Sequence, residues 1–89
     1  RGNKMKAVVV YKENSDHARE VFDYLRDFER QTGKKLEEID PEKRENIGFV
    51  ETYDIVEYPT ILALTDNGQV INMWRGRPLP TINEVSFYA

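Results

Sequence analysis

The stretch "PTILALTDNGQVINMWR", residues 59–75, constrains the fold more than any other part of the chain. Two apolar runs flank Asp66-Asn67-Gly68-Gln69. An Asn-Gly pair in that setting is the strongest short-range signal for a β-hairpin, because both residues accept the positive φ that a tight turn demands. Strands over 59–65 and 70–75 are therefore expected, with Gly76 and Pro78 ending the second. Lys6–Tyr11, "KAVVVY", is a continuous β-branched run, the pattern of a strand covered on both faces and so central or parallel.

Helical periodicity lies between these strands. From Asp16 onward Ala18, Val21, Phe22, Leu25 and Phe28 recur every three or four residues, which places them on one helix face. The opposite face sets Asp16, Asp23 and Asp27 each three residues ahead of an arginine, Arg19, Arg26 and Arg30. Asn14 or Ser15 is placed to cap this helix, and Gly33 to stop it in the left-handed conformation. In "KLEEID", residues 35–40, only Leu36 and Ile39 are apolar. Its assignment as a strand rests on the helix–glycine–strand order. Asp40-Pro41 then reads as the cap and first position of a second helix, with Ile47, Val50 and Tyr53 facing inward. Gly48 weakens that helix by roughly 1 kcal/mol relative to alanine. Thr81 and Glu84 form a capping box ahead of Val85, Phe87 and Tyr88, which predicts a short last helix. The order is β-α-β-α-β-β-α: an α/β fold with a mixed four-stranded sheet flanked by three helices.

Composition narrows the function. By length the 89 residues make one domain, 6–89, with residues 1–5 read as a disordered or expression-derived end. A chain of this size should bury about 64% of its unfolded surface, enough for one core but not for a deep cleft. There is no cysteine, so disulfides and thiolate metal sites drop out, and a reducing cytoplasmic location fits. The sequence shows no signal-peptide pattern and no apolar run near the ~18 residues of a membrane span, so no membrane association is expected. Thirteen basic and 16 acidic residues give a net charge of −3. The bases are interspersed with acids everywhere beyond Arg1, Lys4 and Lys6, so the basic face that a nucleic-acid binder needs is missing. A single histidine does not make a metal site, and no cofactor is expected. Glu37, Glu38, Asp40, Glu42 and Glu45, mixed with Lys34, Lys35, Lys43 and Arg44, read as a solvated face without the spacing of a calcium loop.

The element order, taken with "YDIVEYPTILALTDNGQVINMWRG", resembles the thioredoxin-like superfamily. The matching pieces are Tyr53-Asp54-Ile55 after the second helix, Tyr58-Pro59-Thr60 opening the third strand, the hairpin, and Trp74 and Gly76 at the end of the fourth. The resemblance implies a cis bond before Pro59. It also implies that the Tyr58 backbone pairs with an extended peptide or thiol ligand, a strand-addition mode that needs no particular side chain. A reactive Cys-x-x-Cys pair would stand in the first turn of the first long helix, at Asp16 and Arg19 or one residue earlier at Ser15 and Ala18. Neither frame holds sulfur. Dithiol exchange requires a thiolate, so that activity is not open to these residues.

A binding reading remains, with an unidentified protein or peptide as the partner. The candidate contact residues are Asn14, Ser15, Asp16 and His17 in the loop after the first strand, Tyr58 and Pro59, and Trp74. If exposed together, Tyr58 and Trp74 form an aromatic contact patch; otherwise both cover the edge of the core. Ser15, Asp16 and His17 cannot converge as a triad, because adjacent helical residues point about 100° apart. The plain reading is a cap, an acid at a helix N-terminus and a solvated histidine, with no catalytic residue or metal ligand assigned. One rival is a cysteine-free transferase-like enzyme that binds a thiol such as glutathione, with Ser15 polarising the thiol. Another is a passive structural domain, a monomer or weak homodimer pairing through the "VINMWR" edge strand.

Overall fold

The structure is a computed structural model and describes residues 5–89. Its elements are β1 (Met5–Val10), α1 (Ala18–Thr32), β2 (Glu37–Ile39), α2 (Ile47–Thr52), β3 (Thr60–Thr65), β4 (Val70–Arg75) and α3 (Ile82–Ser86). The four strands form one sheet in the order β2-β1-β3-β4. β1 runs parallel to β2 and antiparallel to β3, and β3 runs antiparallel to β4. This is the mixed α/β sheet expected from the sequence.

The central strands are sealed: Val8, Val9, Val10, Ile61, Leu62 and Ala63 are 0% exposed. Strand alternation divides their side chains into two layers. Ala7, Val9, Tyr11 and Ile61 pack with Ala18, Val21 and Phe28 of α1 and Val85 of α3. Val8, Val10, Leu62 and Leu64 pack with Ile39 and Ile55, covered by the partly buried Phe49, Val50 and Tyr53. The hairpin turn rests on Gly68 at φ +87°, and the Tyr53 hydroxyl donates to the Gly68 carbonyl, tying the end of α2 to the turn.

Local chemistry accounts for the element ends. Gly33 closes α1 at φ 75°, its N–H donating to the Glu29 carbonyl. Thr81 and Glu84 make the reciprocal capping box at α3. Several expectations are corrected. Met5 belongs to β1, and residues 1–4 of the expected terminal segment lie outside the described residues. α1 starts at Ala18 with no side-chain cap, so neither Asn14 nor Ser15 caps it. Asp23–Arg26 and Asp27–Arg30 pair at 3.5 and 2.7 Å. Asp16 lies ahead of the helix, so it cannot take the matching position for Arg19. Phe22 is 47% exposed, its ring set edge-on against Tyr11 rather than entering the layer. The Asp40 carboxylate accepts the Glu42 N–H in a local turn, Lys43 is extended (ψ 136°), and a 3-10 turn over Arg44–Asn46 leads into α2, which starts at Ile47. Ile47 is consequently 47% exposed, and Phe49 takes the inward place expected of it.

Candidate functional site

Three segments meet where β1 ends, β3 begins and β4 ends. Antiparallel pairing sets Val10 opposite Thr60 and Thr60 opposite Arg75, so the loop Tyr11–His17, the segment Ile55–Pro59 and the turn after Arg75 share one end of the sheet. If the β1–β3 ladder continued, Lys12 would stand opposite Tyr58. The pairing ends at Val10 and Thr60, and the Lys12 N–H donates instead to His17 Nε2 at 3.2 Å. The Tyr58–Pro59 and Arg77–Pro78 bonds are cis. The Pro59 carbonyl accepts the Gly76 N–H at 2.9 Å, and Thr60 Oγ1 donates to the Glu57 carbonyl at 2.6 Å. Among the described residues, neither the backbone N–H nor the carbonyl of Tyr58 has a hydrogen-bond partner.

His17 is buried at 7% exposure rather than solvated. Its αR backbone (φ −90°, ψ −7°) at the start of α1 accompanies a ring turned back under the loop to meet Lys12. Because Nε2 accepts, the imidazole hydrogen sits on Nδ1, which lies 4.0 Å from the Asp16 carboxylate. Burial is the main force holding the His17 pKa below its ordinary value of 6.5; Arg77 and Lys12 act in the same direction, and Asp16 and Glu20 oppose them. Ser15 Oγ donates to the Lys12 carbonyl at 2.6 Å. Its hydrogen is thus already engaged, which weakens the idea that it polarises a substrate thiol. Asn14 and Asp16 are exposed.

Tyr58 and Trp74 do not share a patch. Pairing of Trp74 with Ile61 puts it on the α1–α3 layer, edge-on to Tyr88 at 5.7 Å between ring centroids. Tyr58 packs on the opposite layer, against the same cluster as Phe49 and Tyr53. Trp74 instead lines a shallow groove of about 240 Å³ with Asn72, Glu84, Phe87 and Tyr88. The loop, Tyr58 and Pro59 come together, whereas Trp74 faces away.

Sequence reasoning missed three contributors. The Lys12 ammonium sits 5.1 Å from the Tyr58 ring centroid, a cation–π distance. Val56, just before the Tyr58 step, is 69% exposed. Arg77 reaches Glu20 at 3.6 Å and bridges the turn after β4 to α1. Only Lys12 carried a sequence signal, as the first charged residue after the β1 run. On the β2 side Glu13, Glu37, Glu38, Asp40 and Glu45 rim a second cleft. The buried Tyr11 hydroxyl there donates to Glu38 at 2.7 Å, and burial followed by that carboxylate pushes its pKa up. Among the described residues no group of His, Asp or Glu is placed to hold a metal ion. Nor is any helix there long and apolar enough to cross a membrane.

No protein-family model matches the sequence, and no curated protein matches it. Among solved structures, a thioredoxin-2 described as a component of malaria parasite protein secretion machinery aligns over 98% of this chain and 82% of its own, with a TM-score of 0.72. The fold is thioredoxin-like. At 13% identity the likeness extends to architecture alone. In this thioredoxin-like chain the residue before α1 and its first three residues are His17 to Glu20, one past the Asp16–Arg19 frame and two past Ser15–Ala18. No frame contains a cysteine, so thiol–disulfide exchange has no nucleophile here.

Proposed function

We propose that this thioredoxin-like chain is a binding module without redox chemistry, taking an extended segment of a protein or peptide partner along the main chain of Tyr58. The loop Glu13–His17 flanks that step. The observation that carries the reading is the unpartnered Tyr58 N–H and carbonyl, lying next to the exposed Val56. A free main-chain donor and acceptor at the end of a central strand suit strand addition, where backbone hydrogen bonds give affinity and neighbouring side chains give selectivity. The net charge of −3 and the absence of a basic face keep nucleic acid and anionic membranes outside this reading. A cysteine-free chain is compatible with a reducing cytoplasm, which we include in it.

The test is selection from a peptide library on immobilised protein, followed by amide shift mapping with a selected peptide. Val56→Asp should cut retention strongly, and Trp74→Ala, on the other layer, should leave it unchanged. Shifts should centre on Glu13–His17 and Glu57–Thr60. Shifts confined to the acidic residues 37–45 would overturn the reading.

One observation favours a second reading. β4 is an open edge of the sheet, with Val70 and Ile71 exposed at 43% and 41%, and an unpaired edge can pair with a second copy. Sedimentation over a range of concentrations decides: a strict monomer at the highest concentration removes the homodimer.

A further inference from the structure

The loop that fronts Tyr58 is held by a titratable group. Lys12 is the point of attachment: its N–H donates to His17 Nε2, its carbonyl accepts from Ser15 Oγ, and its ammonium lies over the Tyr58 ring. The Ser15 contact stays within the loop. The Ala18 N–H also donates to the Ser15 carbonyl at 3.3 Å, so the loop meets the start of α1 twice, and the His17 contact is the one of the two that titrates.

We propose that His17 is a proton-operated latch: the neutral imidazole holds the Lys12 main chain, and protonation of Nε2 releases the loop Lys12–Asp16 and with it the Lys12 cover on Tyr58.

The chemistry leaves little alternative. A neutral imidazole has one acceptor nitrogen, and here Lys12 uses it. The imidazolium has two N–H donors and no acceptor, so the Lys12 N–H would then face another N–H. Both cannot stay in place, and a backbone donor left without a partner is costly where water is scarce. The surrounding charges set when this happens. Lys12 from the loop and Arg77 from the turn after β4 oppose the cation, while Asp16 and Glu20 on either side of His17 favour it. Glu20 is partly neutralised by its contact with Arg77 at 3.6 Å, and the Asp16 side chain is 89% exposed, so solvent screens it. The latch is therefore closed at neutral pH and opens on acidification, at a pH below the ordinary histidine value of 6.5. The effect on a ligand rests on the reading of Tyr58 as the binding step; the latch itself does not.

The experiment is a pH titration of the free protein from 7.5 to 4.5 by two-dimensional NMR, following the Lys12 amide and the His17 ring carbon-bound protons together. The expected result is one shared inflection below pH 6.5, spreading to Glu13, Asn14 and Ser15. Exchange of the Lys12 amide should rise at least about tenfold above its intrinsic pH trend, which corresponds to about 1.4 kcal/mol of lost protection. His17→Gln supplies a carbonyl acceptor that does not titrate, so its Lys12 amide should show no inflection in that range. His17→Phe lacks an acceptor, so its Lys12 amide should exchange fast at every pH. A Lys12 amide that stays still while His17 titrates, or the same inflection in His17→Gln, overturns the latch. The wild-type comparison alone decides if a variant fails to fold. Library selection at pH 7.5 and 5.5 is a separate readout. Failure to retain any peptide counts against the Tyr58 reading without touching the amide result. Retention that ignores the His17 titration overturns the regulatory consequence.

Discussion

The two layers of the sheet share the same central strands but are covered very differently. On one side the 15-residue α1, with α3 beside it, buries Ala18, Val21, Phe28 and Val85. On the other the six-residue α2 buries none of its own residues fully and leans Phe49, Val50 and Tyr53 against the strands. Hydrophobic stabilisation follows area removed from water, so the first layer should anchor stability. The second layer carries Tyr58 and lies closest to the candidate site. A thin cover is where a segment can open at low cost, and binding elements are drawn from such regions.

The contrast can be broken by mutation. Phe28→Ala, at 0% exposure, should cost about 3–5 kcal/mol in urea unfolding with an unchanged slope. Phe49→Ala on the thin layer should cost about 1–2 kcal/mol, because part of its ring is already in water. Equal losses would mean that the two layers are equally supporting. Tyr53→Phe removes the hydroxyl that reaches the Gly68 carbonyl and should cost about 1 kcal/mol, with the hairpin-turn amides exchanging faster. Gly48→Ala should stabilise by about 0.5–1 kcal/mol: a Cβ there meets nothing within 4 Å, and alanine favours the helix. No gain would show that α2 is already held by its packing. The smallest expected effect is a slope with pH. The folded-state pKa of His17 lies below its unfolded value of 6.5, so the unfolded chain takes up the proton first. The stability contributed by neutral His17 is complete above pH 6.5 and is lost as the pH falls below it toward the folded-state pKa. In His17→Gln that part of the slope should vanish, read from unfolding midpoints between pH 7.5 and 5.

What was legible in the sequence is what local chemistry decides. Asn67-Gly68 fixed the hairpin, Gly33 the end of α1 and the Thr81–Glu84 pair the start of α3, each within a few residues of its cause. The valine run at residues 8–10 announced a central strand because only full burial suits such a run. The site was less legible. His17 meets a donor, the Lys12 N–H, that is left over where the β1–β3 pairing ends at Val10 and Thr60, and no periodicity encodes that event. The split between Tyr58 and Trp74 follows from strand parity across the hairpin: pairing with Ile61 sends Trp74 to the α1 layer. α2 began late because Asp40 satisfied Glu42 in a local turn, a competition that an Asp-Pro pair does not resolve.

The most direct measurement is amide hydrogen exchange at Tyr58 in the free protein and with a selected peptide bound. Near-intrinsic exchange is expected in the free chain, since the Tyr58 N–H has no partner among the described residues, and at least about tenfold protection in the complex. A Tyr58 amide already protected when free, or one that gains nothing on binding, would contradict binding along the Tyr58 main chain.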